Sequence, residues 1–323
     1  MGSLIYVTRS IPNSAIELLI GGIDNADIRV NTEDRNLAHA EIIERGKGAS
    51  ALICTLADPI DAALMDAIGG QLKIIANYAV GYNNIDTDAA KKRGIAVTNT
   101  PDVLTEPTAE IALGLILDTA RRISEGDRIT RAAEFEGWAP MYHRGQGVYG
   151  QTVGIIGAGR IGHRVAATLR HGFGCNIVYY SRSRHAHWES ELEAKLLPLT
   201  ELLEQSDIIS LHCPLTEKTR HLIDAKALTH MKPTAILVNT ARGAVIDEAA
   251  LVAALTVDRL AGAGLDVFEN EPALADGLAE LENVVLAPHI GSATFECRDK
   301  MGKMCAHSVI DVLNGRNPSH RVV

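Results

Sequence analysis

From Thr152 the chain reads Thr-Val-Gly-Ile-Ile-Gly-Ala-Gly-Arg-Ile-Gly to Gly162, and a helical pattern runs from Arg160 to His171. A β-branched run, a tight glycine turn and a helix, in that order, constrain the fold more than any other feature of this sequence. Gly157 permits the tight turn, Gly159 lets the backbone approach a pyrophosphate, and Gly162 lets the helix pack close to the sheet. The start of such a helix offers amides and the positive end of its dipole to an anion. A GxGxxG alone is weak, but here a strand precedes it, a helix follows, and a second strand comes about twenty residues on. Gly157, Ala158, Gly159, Arg160, Ile161 and Gly162 are therefore candidates for a dinucleotide site.

The rest of the chain alternates in the same manner. Strand signals at Leu4–Thr8, Ile28–Val30, Ala51–Thr55, Lys73–Tyr78 and Ile95–Asn99 are separated by helical stretches at Ser14–Ile20, Leu37–Arg45, Asp61–Ile68 and Asp86–Lys92. A second block adds strands at Thr152–Ile156, Asn176–Ser181, Ile208–His212, Ile236–Asn239, Gly262–Asp266 and Val284–Ala287. Its helices are expected at Arg160–His171, Leu199–Gln205, Ala225–Met231 and Glu248–Leu255, with a last helix over about Ala293–Asn314. Strands joined by helix-length connections imply parallel sheets with helices on their faces, an α/β class. Between the blocks the spacing predicts one long helix from about Pro107 to Glu134, then a glycine-rich loop, Gly137–Gly150, carrying Trp138. A chain of 323 residues suits two domains, at about 150 residues each.

The second strand of the glycine-motif block leaves as Tyr179-Tyr-Ser-Arg-Ser-Arg184. Selection of NAD usually places an acid here for the ribose 2′-hydroxyl. Ser181, Arg182, Ser183 and Arg184 stand there instead, and arginine pairs with a 2′-phosphate through charge-assisted hydrogen bonds. The expectation is a preference for NADP(H), with NAD(H) also able to serve; the bland alternative is a solvated arginine loop.

Three further clusters leave strands: Val238-Asn-Thr-Ala-Arg-Gly243, Gly264-Leu-Asp-Val-Phe-Glu-Asn-Glu-Pro272 and Ala287-Pro-His-Ile-Gly-Ser292. Ligands of open α/β sheets bind beyond the carboxyl ends of strands, so Arg242, Asp266, Glu271 and His289 belong at the rim of the glycine turn. Hydride transfer to a ketone leaves an alkoxide that needs a proton. Histidine suits that task near neutrality, a carboxylate on its far nitrogen fixes the tautomer, and arginine clamps a substrate carboxylate. Taken singly, Arg242 reads as a loop salt bridge, Glu269 or Glu271 as a solvated acid, and His289 as a structural histidine. The His185 and His187 pair reads as a solvated loop.

Composition narrows the partners. A net charge of −9 and 4% aromatic residues argue against nucleic acid and against an anionic membrane surface. No apolar run reaches the 18 or so residues of a membrane span, and the first residues lack a signal-peptide pattern. Five cysteines, widely spaced and without a CxxC pair, indicate reduced thiols, with no disulfide frame and no metal site. The expected location is the cytoplasm.

The stretches NYAVGYNNID, GIAVTNTPDVLTEPTAE, GIIGAGRIG, HCPLT, LVNTARGAVIDEAAL, GAGLDVFENEP and APHIGSAT together resemble the D-isomer-specific 2-hydroxyacid dehydrogenases, closest to the glyoxylate/hydroxypyruvate reductase group. The resemblance implies two α/β domains, the cofactor domain (100–289) inserted in the substrate domain (1–99 with 290–323), whose closing would exclude water. It implies that Arg242 binds the 2-oxo acid, that His289 gives and takes the proton, and that Glu271 orients it. It places Val80 and Gly81 at the substrate carboxylate and Leu56 in the pocket wall. It places Thr108, Cys213, Pro214, Thr219, Thr240, Ala241, Asp266, His289 and Gly291 at the cofactor. Trp138 resembles a tryptophan that reaches the partner subunit's pocket in a homodimer. The chain lacks the extra domain of longer, effector-regulated phosphoglycerate dehydrogenases. Two other readings stay open: a reductase of 2-ketogluconate or another keto sugar acid, and a dinucleotide-sensing corepressor-like protein on the same fold.

Overall fold

The computed structural model describes residues 2–323. Twelve strands occur: β1 (Leu4–Val7), β2 (Asp27–Val30), β3 (Ala51–Cys54), β4 (Ile74–Asn77), β5 (Ala96–Thr98), β6 (Thr152–Ile156), β7 (Asn176–Tyr180), β8 (Lys195–Leu196), β9 (Ile208–Leu211), β10 (Ile236–Asn239), β11 (Gly262–Leu265) and β12 (Val284–Leu286). The α-helices are α1 (Asn13–Gly22), α2 (His39–Gly46), α3 (Ala62–Ile68), α4 (Thr87–Lys92), α5 (Thr105–Arg121), α6 (Ile123–Arg131), α7 (Arg160–Phe173), α8 (Ala186–Leu192), α9 (Leu199–Gln205), α10 (Ala225–His230), α11 (Glu248–Thr256) and α12 (Phe295–Leu313). The chain divides into two compact units, one running to Leu104 and resuming over Ser292–Val323, the other Thr105–Gly291. The sequence reading has these crossings at 99/100 and 289/290.

The first unit holds a five-stranded parallel sheet in the order β2-β1-β3-β4-β5. Its central strands β3 and β4 are buried at every position, as a parallel sheet covered on both faces requires. The last helix returns to it: Asn314 Nδ2 donates to the Gly22 carbonyl at 3.1 Å, and Tyr78 donates its hydroxyl proton to the Arg298 carbonyl. An antiparallel bridge from Arg321 to Thr98 covers the β5 edge.

The second unit holds a seven-stranded parallel sheet, β12-β11-β10-β9-β6-β7-β8. The order runs one way from β6 to β8 and the other way from β9 to β12, so the topological reversal lies between β6 and β9. That crevice is where doubly wound sheets take their ligand, and the glycine turn leaves β6 directly into it.

Two expectations are corrected. The long helix over 107–134 is two helices, because Arg122 takes φ 54°, in the left-handed region, and breaks the ladder. The Asp118 carboxylate accepts from the amide and hydroxyl of Ser124 at 2.7 and 2.5 Å, which starts α6 afresh. His187 stands, exposed, on a helix rather than in a loop, and His185 is the last loop residue before it, with no side-chain cap bond. The helix is anchored by Trp188 and Leu192, both fully buried. Two large apolar side chains in seven residues make a weak period, so the short α8 and β8 go unseen in the sequence.

Candidate active site

Apart from Thr108 in α5 and Trp138 after α6, the candidates of the second unit follow the carboxyl ends of its strands. At the end of β6, Gly157 has φ 104°, which a side chain would strain. A Cβ on Gly162 would lie 2.4 Å from the Gly157 carbonyl oxygen, so helix and turn pack backbone to backbone. No side chain caps the start of α7. Just beyond β10, the Thr240 hydroxyl is buried without a hydrogen-bond partner. An uncapped helix start and an orphaned buried hydroxyl on the same rim fit a phosphate-bearing ligand between them.

At the β7 exit, Ser181 is half-buried and Arg182, Ser183 and Arg184 are exposed. Arg184 is already engaged: its Nε donates to the Glu189 carboxylate at 2.8 and 2.9 Å. An acid thus does approach this spot, from α8, but it is committed to Arg184. Beyond β9, burial pushes the Cys213 thiol up to about 11, which makes it packing rather than a nucleophile. Pro214 is exposed, and Thr219 Oγ1 closes the following loop by donating to the Pro214 carbonyl at 2.6 Å.

Beyond β10, Asn239 holds the turn. Its Nδ2 donates to the Arg242 carbonyl and its Oδ1 accepts from the Ala241 amide, both at 2.9 Å. Arg242 Nη1 donates to the Ala241 carbonyl at 2.7 Å. Burial lowers the Arg242 pKa against the pull of the Glu271 carboxylate.

His289 and Glu271 meet directly. Nδ1 of His289 lies 2.8 Å from Oε2 and 3.1 Å from Oε1 of Glu271. The Phe268 amide donates to the same Oε1 at 3.0 Å. Burial works to raise the Glu271 pKa, but the His289 bond and charge and the Phe268 amide outweigh it, and the net shift is downward. His289 has φ 53°, a left-handed conformation uncommon for histidine. Asp266, 1% exposed, holds it there: its two oxygens accept from the amides of Ile290 and Gly291 at 2.7 and 2.8 Å. Burial raises the Asp266 pKa, opposed by those amides and by His289. Thr108 Oγ1 donates to the Gly291 carbonyl at 3.0 Å, so Thr108 and Asp266 brace one loop.

Glu269 is not a solvated acid. Its carboxylate meets His221 Nε2 at 2.5 Å and its amide donates to Glu248 at 2.5 Å.

Leu56, Val80 and Gly81 belong to the first unit and are half-buried. The Ala79 carbonyl accepts from the Thr100 amide at 3.0 Å, and the Val80 carbonyl from Asn99 Nδ2 at 2.8 Å. A trans peptide points C=O and N–H in opposite directions. Pinning those carbonyls therefore turns the amides of Val80 and Gly81 away from Thr100 and Asn99. Trp138 lies in the irregular stretch after α6 and is 83% exposed.

Asn239, Asn99 and Glu248 are absent from the sequence-based candidates. Asn239 had a signal, an asparagine at a strand end before a turn; the other two had none.

A family model described as D-isomer specific 2-hydroxyacid dehydrogenase, NAD binding domain, matches residues 113–291. The glyoxylate reductase of Thermococcus gammatolerans is 47% identical over 97% of this chain and 94% of that protein. The TT0316 protein from Thermus thermophilus superimposes with a TM-score of 0.92 at 41% identity, covering 99% of this chain and 100% of that one. The NADPH-dependent glyoxylate/hydroxypyruvate reductase of Sinorhizobium meliloti, solved with NADP and malonate, gives 0.87 at 32% identity, over 100% of this chain and 97% of that one. The glycine turn at a topological switch, the carboxylate-bound histidine and these likenesses agree: the chain belongs to the D-isomer specific 2-hydroxyacid dehydrogenase family, an NAD(P)-dependent oxidoreductase.

Proposed function

We propose that this protein reduces small 2-oxo acids, glyoxylate or hydroxypyruvate first, to 2-hydroxy acids, with NADPH preferred over NADH. The observation that carries the reading is the Glu271–His289 pair at 2.8 Å. With Nδ1 committed to a carboxylate, Nε2 is the nitrogen left to exchange a proton with the substrate.

Bound at the β6–β9 crevice, a reduced nicotinamide would supply the hydride. The glycine turn and the start of α7 would hold its phosphates, Thr240 and the loop of Cys213 would add contacts, and Asp266 and Thr108 hold the loop of His289 and Gly291. His289 delivers the proton to the carbonyl oxygen as charge develops there. Arg242 pairs with the substrate carboxylate and polarises the adjacent carbonyl. Arg182, exposed at the β7 exit, supports selection of the 2′-phosphate, while Arg184 is held by Glu189.

The similarity to named glyoxylate reductases, at 47% and 46% identity in two Thermococcus species, supports the substrate class. The exposed Trp138 supports a homodimer in which it is covered. Sedimentation velocity of wild type and Trp138→Ala checks this, and a monomeric wild type rejects it.

A steady-state comparison of glyoxylate, hydroxypyruvate, 2-ketogluconate and pyruvate, each with NADPH and NADH, tests the reading. Highest kcat/KM for glyoxylate or hydroxypyruvate with NADPH supports it. A clear win for the sugar acid rejects the substrate assignment, and a clear win for NADH rejects the cofactor preference.

A further inference from the structure

The loop that presents Glu271 is held from behind by residues that the reaction does not use. Glu248, first residue of α11 and 3% exposed, accepts from the Glu269 amide at 2.5 Å. The Glu269 carboxylate meets His221 Nε2 at 2.5 Å. Phe268, one residue earlier, donates its amide to Glu271 itself at 3.0 Å. The stretch Phe268–Glu271 is therefore tied on one side to α11, on another to His221, and folds onto its own catalytic carboxylate.

Capping does not explain Glu248. Asp247 caps α11, accepting from the Ala250 amide at 3.0 Å. Solvation does not explain it either. Burial raises the Glu248 pKa, and the nearby Glu269 and Glu271 charges raise it further, against the Glu269 and Ala275 amides. A carboxylate buried beside two others costs free energy that an apolar residue would spare. What it achieves is a short, charge-assisted bond to the amide two residues before Glu271.

We propose that Glu248 is a positioning residue: by holding the Glu269 amide it fixes the loop on which Glu271 reaches Nδ1 of His289. The charged groups that bear on this pair are Arg242, Asp266 and Glu248, with Glu269 beside Glu248 and paired to His221. The inference rests on the reading of His289 as the proton donor, but its test includes a signal independent of turnover.

The experiment compares Glu248→Gln and Glu248→Ala in the full chain. One measurement is the low-field proton resonance of His289 Nδ1–H, assigned by its loss in His289→Asn. The other is the pH profile of glyoxylate reduction. Gln keeps an acceptor for the Glu269 amide, so Glu248→Gln retains the resonance and turns over within about 3-fold of wild type. Glu248→Ala leaves that amide unpaired. The resonance broadens or is lost, kcat falls about 10-fold or more with KM little changed, and the pH profile of reduction moves. If Glu248→Ala does not fold, His221→Ala, at a half-exposed position, releases the other anchor and must weaken the same resonance. An unchanged resonance and pH profile in folded Glu248→Ala overturns the inference, as does Glu248→Gln failing as badly as Ala. Undiminished turnover in His289→Asn instead rejects the proton-donor role and leaves the resonance to judge the loop.

Discussion

A Cβ placed on Gly243 would lie 1.8 Å from the carbonyl carbon of Phe268. The turn that carries Arg242 and the loop that carries Glu271 thus touch through their backbones. Gly243→Ala must push the loops apart, because neither backbone can yield as a flexible side chain would. The expected result is loss of kcat/KM by about 100-fold with far-UV circular dichroism near wild type. Activity within a few-fold would show that this contact does not set the spacing of Arg242 and Glu271.

The Glu271–His289 pair makes the pH dependence testable. Glu271→Gln keeps the volume but removes the carboxylate that holds His289 Nδ1. The kcat for reduction should fall about 10-fold or more with KM little changed, and turnover within about 2-fold of wild type would remove the pair from proton transfer. The stability effect has its own sign. The Glu271 pKa is lowered on folding, so its contribution is present above the ordinary carboxylate range and is lost as pH falls through the lowered value. Glu271→Gln should flatten that acid-side loss in urea melts.

His212, at the end of β9 with Ser210 on its Nε2 at 2.9 Å, is pushed down to about 3 by burial. An unfolded histidine titrates near 6.5, so the unfolded chain binds the proton first. Stability due to the neutral ring is complete above about pH 6.5 and is lost as pH falls toward 3, at up to about 1.4 kcal/mol per pH unit. His212→Gln should remove that slope between pH 6.5 and 4. Parallel pH slopes for wild type and variant, from urea midpoints, would contradict the assignment.

Asp266→Ala leaves the amides of Ile290 and Gly291 without their acceptor. A loss of about 2–4 kcal/mol is expected, with faster hydrogen exchange confined at first to residues around His289. Protection of those amides equal to wild type would mean that His289 keeps its left-handed conformation by other means.

Arg182 is exposed, whereas Arg184 is tied to Glu189. Arg182→Ala should raise the KM for NADPH by about 10-fold, the effect of one charge-assisted hydrogen bond, and leave the KM for NADH within about 2-fold. Equal effects on both cofactors would remove Arg182 from the 2′-phosphate.

Much of this was legible without coordinates where a local pattern has a local cause. The glycine turn after β6 is demanded by φ at Gly157 and close packing at Gly162, both consequences of a missing Cβ. The strands β6, β9 and β10 are short apolar runs because parallel strands are buried on both faces. Arg242, Glu271 and His289 could be placed at one rim because every strand of a parallel sheet ends on the same side.

The tertiary structure alone decided which group each of these residues faces. Nothing near Glu248 in sequence indicates that its carboxylate reaches the Glu269 amide, or that Asp266 spends both oxygens on the amides beyond His289. Nor does the β7 exit reveal that Glu189 returns from α8 to hold Arg184. The break at Arg122 was hidden because the Asp118–Ser124 bonds that create it compete with an otherwise good helical pattern. Periodicity reports which face of an element is apolar, and residue type reports what chemistry is available. Hydrogen-bond partners distant in sequence are chosen only when strands and loops are brought together, as Glu271 is for His289.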